Sequence, residues 1–235
     1  RVMNPEAVKR AEQRKKSALR SKKRKEEAAK KKKRPQVTYT PPVPVNLNQM
    51  LMKILIVNDD SISAPGIAVL AKAACELGDV TVVAPAHQCS AMSHKISIHD
   101  AMKVEKAEDF PVPVKAAYKV EGTPADCVKV ALHYVLEEKP DYVFSGINDG
   151  YNVGYDVAYS GTLGAALEAV MSGIPAMAFS NTMHAPLTIA QAYLVPVIRE
   201  LMEVGQGRGE VWNVNFPGCR LAECNGILRD RQVST

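Results

Sequence analysis

The chain has 235 residues, 46% of them hydrophobic, enough for one α/β domain of ordinary size or two small ones. No apolar run approaches the roughly 20 residues that span a bilayer, and no apolar core of a secretory signal stands near the start, so a soluble, cytoplasmic protein is expected. The formal charge of +5 hides two unlike parts: residues 1–34 hold sixteen Lys or Arg against four Glu, a balance of +12, and the remainder carries 14 basic and 21 acidic residues, or −7.

Residues 1–34 have too few large apolar side chains to form a core-facing stripe and read as a basic, disordered tail. A polybasic arm can bind RNA through phosphate contacts. A solvated tail without a partner is the favoured reading, because no aromatic residue is interleaved to stack on bases. Pro35, Pro41, Pro42 and Pro44 make residues 35–51 an extended linker, so the folded domain is expected over 52–235. The chain opens on Arg1 rather than Met, as a fragment or an appended piece would. Cys75, Cys89, Cys127, Cys219 and Cys224 include no C-x-x-C pair and read as reduced thiols rather than a zinc site.

From Met52 the pattern alternates strand and helix. Ile54, Leu55, Ile56 and Val57 form one buried parallel strand, and Ser63-Ala64-Pro65 starts a helix, so Asn58, Asp59, Asp60 and Ser61 lie at a strand's carboxyl end, where open α/β sheets bind ligands. A dinucleotide site would put glycines there. Two adjacent carboxylates repel an anion unless a cation lies between, which points to a hard divalent metal with phosphate as a further oxygen ligand. A plain Asp-Asp turn capping the helix explains the pair equally well.

Ile67, Leu70, Ala74 and Leu77 share a helical face, with Gly78 expected to end the helix. Residues 80–84 make a second buried strand, followed by a polar loop with Ser90 and Ser93. His94 and His99 read as solvated loop histidines. Residues 95–121 look extended, with a strand over 117–121. Thr123 then caps a helix, with Pro124 in its first turn and Asp126 reaching back, and Val128, Ala131, Leu132 and Val135 on its buried face. Residues 142–147 form a strand that runs into a loop rich in Gly and Asn, with Asn148 and Asn152. Tyr159-Ser160-Gly161-Thr162 opens a helix whose free N–H groups and hydroxyls suit a phosphate, although ordinary capping accounts for the same residues. Further strands are expected over 174–180, 211–216 and 226–228, with outward-facing Asn213 and Asn215, and a helix over 187–204. The sum is an α/β, Rossmann-like three-layer domain with a mostly parallel sheet, whose oxygen-rich loops gather on one edge.

Asn58-Asp59-Asp60 with Ala64-Pro65-Gly66-Ile67, Val83-Ala84-Pro85 with Ser90, Gly122-Thr123-Pro124-Ala125-Asp126, Ser145-Gly146-Ile147-Asn148, Tyr159-Ser160-Gly161-Thr162 and Asn213-Val214-Asn215-Phe216-Pro217 resemble, in order, the motifs of the SurE family. The resemblance implies a metal-dependent 5′-nucleotidase: a divalent ion, Mg²⁺ or Mn²⁺, on Asp59, Asp60, Ser90 and Asn148; a phosphate pocket of Asn152, Ser160, Gly161 and Thr162, with Asn58 beside it; Asp59 and Asp60 as catalytic carboxylates; and a nucleoside monophosphate as substrate. It also implies a homodimer or homotetramer built through a carboxyl-terminal arm that exchanges between subunits. That arm would follow Thr235, so the domain reads as truncated. The family has Gly where this chain has Ser61 and Ala91, and it has charged residues where this chain has Ala86, His87 and Cys89. The rivals are a haloacid-dehalogenase-type phosphatase, disfavoured because that class spaces its carboxylates one residue apart, and an RNA-binding protein acting through its basic arm on an inactive scaffold.

Overall fold

The computed structural model describes residues 52–99 and 101–229. The basic tail and the linker expected over 1–51 lie outside the described residues. Seven strands form one sheet in the order β3-β4-β2-β1-β5-β6-β7. They are β1 (Met52–Val57), β2 (Gly78–Pro85), β3 (Val104–Lys106), β4 (Ala116–Val120), β5 (Tyr142–Asp149), β6 (Ala176–Asn181) and β7 (Trp212–Phe216). All pairings are parallel except β3 with β4. The parallel order runs outward from β1 on both sides, which puts the topological switch point between β1 and β5.

Helices cover both faces, as parallel strands require. Along β1 the side chains alternate: Ile54 and Ile56 face a core with α1 (Pro65–Ala74) and α4 (Thr188–Val204), while Leu55 and Val57 face one with α2 (Pro124–Val130) and α3 (Gly161–Met171). On the first face Phe144, Phe179 and Phe216 run across β5, β6 and β7, with ring centroids 5.8 and 6.4 Å apart. The second face is built largely from small residues, among them Ala165, Ala166 and Ala169 of α3 and Ala176 and Ala178 of β6. Small side chains let a helix lie close to the sheet, and α3 carries its first turn to the strands' carboxyl ends.

Local chemistry accounts for most boundaries and corrects several expectations. Helix α1 ends at Ala74, with Cys75 as its cap, three residues before Gly78. Gly78 opens β2 instead, where a Cβ would stand 2.1 Å from the Met52 carbonyl oxygen, so the glycine permits close strand approach rather than stopping a helix. Helix α2 has the expected cap: the Asp126 N–H donates to the Thr123 hydroxyl and the Thr123 N–H to the Asp126 carboxylate. After Val130 it loosens into a π turn, Ala131–Val135, which leaves Leu132 and Val135 half-buried. Strand β5 runs two residues past its expected end, to Asp149. The strand expected over 226–228 is absent; those residues have no regular structure and are exposed. Among the described residues no helix is long and apolar enough to cross a membrane.

Candidate active site

Strand β1 releases the chain at Asn58. This side chain is fully buried, and its amide donates to the Ser61 carbonyl at 2.7 Å, tightening the turn. Asp59 and Asp60 then diverge. Asp59, 4% exposed, accepts the Thr162 hydroxyl at 2.7 Å. Asp60 accepts the Asp149 backbone N–H at 2.8 Å and the Gln88 side-chain amide at 3.3 Å. One carboxylate is thus tied to the start of α3 and the other to the tip of β5 and the loop after β2.

That loop comes to the same point because the Cys89 N–H donates to the Asp59 carbonyl at 2.7 Å, which sets Ser90 beside the carboxylates. Ser90 is exposed and, among the described residues, its hydroxyl makes no hydrogen bond. On the other side β5 breaks register against β6 between Ser145 and Asn148, with Gly146 at φ 134°. A Cβ on Gly146 would stand 2.2 Å from the Phe179 carbonyl oxygen, so only glycine lets the strand kink there. The kink precedes Asn148, whose amide nitrogen is committed to the Gly150 carbonyl at 2.7 Å. Its carbonyl oxygen is the atom left for a cation.

The first turn of α3 closes the site. The Ser160 hydroxyl accepts the Leu163 N–H at 3.1 Å and so caps the helix. A Cβ on Gly161 would stand 3.0 Å from the Asp59 Cβ, and the lack of one lets the helix end touch the carboxylate. The buried Asn152 amide donates to Ser180 at 2.8 Å and to Thr162 at 3.4 Å. Its main chain is held as well: the Asn152 N–H donates to Asn215, and Asn213 and Asn215 donate to its carbonyl. These asparagines were expected to point outward; Asn213 is exposed and Asn215 half-buried, and both hold the Asn152 main chain. Ser180 and this bracing were not foreseen, because the partners lie 28 and more than 60 residues away in sequence.

Asn58, Asp59, Asp60, Asn152, Ser160, Gly161 and Thr162 are thus joined between the turn after β1 and the start of α3, and the segments bearing Ser90 and Asn148 are tied to them through the Cys89 and Asp149 N–H groups. Burial pushes the Asp59 carboxyl from 3.8 up to about 6; the Thr162 hydrogen bond opposes this and the neighbouring Asp60 charge adds to it. Neither Asp59 nor Asp60 pairs with Lys, Arg or His among the described residues. The side-chain oxygen Oδ1 of the preceding Asn58 is buried and has no hydrogen-bond partner among the described residues. Uncompensated negative charge in a desolvated place fits a cation. Two carboxylates, a hydroxyl and an amide oxygen make a hard donor set, with no cluster of three His, Cys, Asp or Glu among the described residues.

The family model for the survival protein SurE matches residues 54–235. A relative from Cytophaga hutchinsonii named 5′-nucleotidase SurE is 44% identical over 184 residues, covering 77% of this chain and 70% of the relative. Another of that name, from Nostoc, is 42% identical, covering 77% and 69%. The crystal structure of the SurE protein from Aquifex aeolicus superimposes with a TM-score of 0.68 at 37% identity, covering 75% of this chain and 70% of that one.

Proposed function

The chain belongs to the SurE family, and on that footing we propose that it is a 5′-nucleotidase, hydrolysing nucleoside 5′-monophosphates to nucleoside and phosphate at the edge where β1, β2 and β5 end. Asp59, Asp60, Ser90 and Asn148 would hold a divalent cation, Mg²⁺ or Mn²⁺. Such an ion supplies positive charge against the developing phosphoryl charge and lowers the pKa of water.

The protein's own groups do the rest. The phosphate sits at the first turn of α3, where the N–H groups of Gly161 and Thr162 lie on the positive end of the helix and have no intrahelical acceptors. The Ser160 hydroxyl and the Asn152 amide flank it. Asn152 arrives preorganised, because Ser180 fixes its amide and β7 fixes its main chain. Thr162 orients Asp59 through its hydroxyl. Asp59, buried and directed at the phosphate end of the pocket, is the base that takes the proton of the attacking water.

The observation that carries this reading is the Asp59 carboxylate: almost fully buried, without a cationic partner among the described residues, and bonded to the helix that would bind phosphate. The test is phosphate release from a panel of nucleoside monophosphates, with Mn²⁺ or Mg²⁺ and with chelator. Activity should require the ion and fall by at least about a thousandfold in Asp59→Asn, about 4 kcal/mol of transition-state stabilisation. Hydrolysis unaffected by chelator and by that substitution would overturn the assignment. A phosphoaspartate trapped in a rapid quench would make Asp59 the nucleophile instead of the base.

A further inference from the structure

Ser90 stands on a loop in a costly conformation. Ala91 and Ser93 lie at φ 56° and 53°, a region strained for any residue with a Cβ. The loop's far side is fastened by a contact 74 residues away in sequence: His94 Nε2 lies 2.7 Å from Glu168 Oε2. Glu168 is 8% exposed, so the histidine expected to be solvated is one partner of a buried carboxylate. The other carboxylate oxygen of Glu168 accepts Lys129 Nζ of α2 at 3.3 Å.

Glu168 belongs to α3, about two turns from the Ser160-Gly161-Thr162 end. On the same helix a Cβ at Gly164 would stand 2.1 Å from the Ser93 carbonyl oxygen, so the loop rests directly on the helix backbone. The Ser93 N–H and hydroxyl donate to the carbonyls of Tyr159 and Ala158, just before that helix. Lys129 already supplies Glu168 with a cation, and His94 adds, among the described residues, the one side-chain link from this carboxylate to the Ser90 loop.

We infer that the His94–Glu168 contact is a positioning device for Ser90. It locks the loop to the helix whose first turn forms the phosphate pocket, so that the serine hydroxyl and the pocket keep one geometry. Neither side chain touches the cation or the substrate. The inference rests on the assignment of Ser90 as a cation ligand. A purely structural role, in which His94 only satisfies a buried carboxylate, would lower stability and leave ion binding unchanged.

The experiment is Mn²⁺ titration calorimetry on the full chain without nucleotide, paired with hydrogen exchange of the 89–94 amides in metal-free protein. His94→Ala should weaken Mn²⁺ binding about tenfold and speed exchange in the loop. His94→Gln, which can still donate to Glu168, should recover most of the affinity. Lys129→Ala should leave affinity unchanged. In a Ser90→Ala background, His94→Ala should cost nothing further. An unchanged Mn²⁺ affinity in a folded His94→Ala, or the same tenfold loss with Ser90 already removed, overturns the inference. Failure of the unaltered chain to bind Mn²⁺ overturns the cation site itself, and the inference with it.

Discussion

Gly161 is where the two halves of the site meet, and it has no room for a side chain. A Cβ there would press on Asp59 from 3.0 Å, and the neighbour is a short, buried group rather than the end of a flexible chain. Gly161→Ala should therefore cost about tenfold or more in kcat/KM while the melting temperature changes little, because the displaced groups are those proposed to act on the substrate. Ser61 and Ala91 present the opposite case. Both stand at positive φ, 94° and 56°, where a residue with a Cβ is strained. Changing either to Gly removes strain of about 1–2 kcal/mol and adds part of that to the unfolded chain's entropy. Calorimetry should show Ser61→Gly and Ala91→Gly each about 0.5–1 kcal/mol more stable. The strain at Ser61 and Ala91 was foreshadowed only by the resemblance, which implies Gly at both positions, and not by the residues themselves. The His94–Glu168 contact was not foreshadowed, because nothing near His94 in the chain announces a buried acid on another helix.

At the scale of elements, the cap of α2 makes a prediction about pH. Burial raises the Asp126 carboxyl, but the N–H groups of Thr123 and Ser97 and the Ser97 hydroxyl outweigh it and hold the group below its usual 3.8. A carboxylate with a depressed folded pKa contributes stability that is present above about 3.8 and is lost as pH falls through the folded value. Asp126→Asn should therefore lower stability at neutral pH by about 1–2 kcal/mol and flatten the acid limb of a plot of melting temperature against pH. The capping residues were visible because a cap is read from adjacent positions. So were β1, β2, β5 and β6, whose apolar runs are bounded by turn residues. The three-residue β3 was missed, since its pairing with β4 is long-range and it carries no apolar run. Residues 226–228, exposed and short, form no strand although their composition suited one.

In the whole molecule the ligand edge follows from topology. The strand order runs outward from β1 on both sides, a switch point of the kind where open α/β sheets take their ligands, and the loops after β1, β2 and β5 emerge at that edge. That much could be read from the alternation of elements; the distances that make the site, from Asp59 to Thr162 and from Asp60 to Asp149, could not. A cation bound at this edge would link three segments of the folded state, the turn after β1, the loop after β2 and the end of β5, and finds no such arrangement in the unfolded one. At about a hundred times its Kd it adds about 2.7 kcal/mol, a rise of roughly 5–10 °C in melting temperature that chelator should reverse and Asp59→Asn should abolish.

The bracing of Asn152 by Asn213 and Asn215 bears on when the enzyme becomes competent. The supports lie 61 and 63 residues downstream of the residue they hold. During synthesis the carboxylates, the serine loop and the phosphate helix all leave the ribosome before β7. A nascent chain stopped before Trp212 should already carry every proposed site residue yet turn over slowly, and activity should arrive with β7.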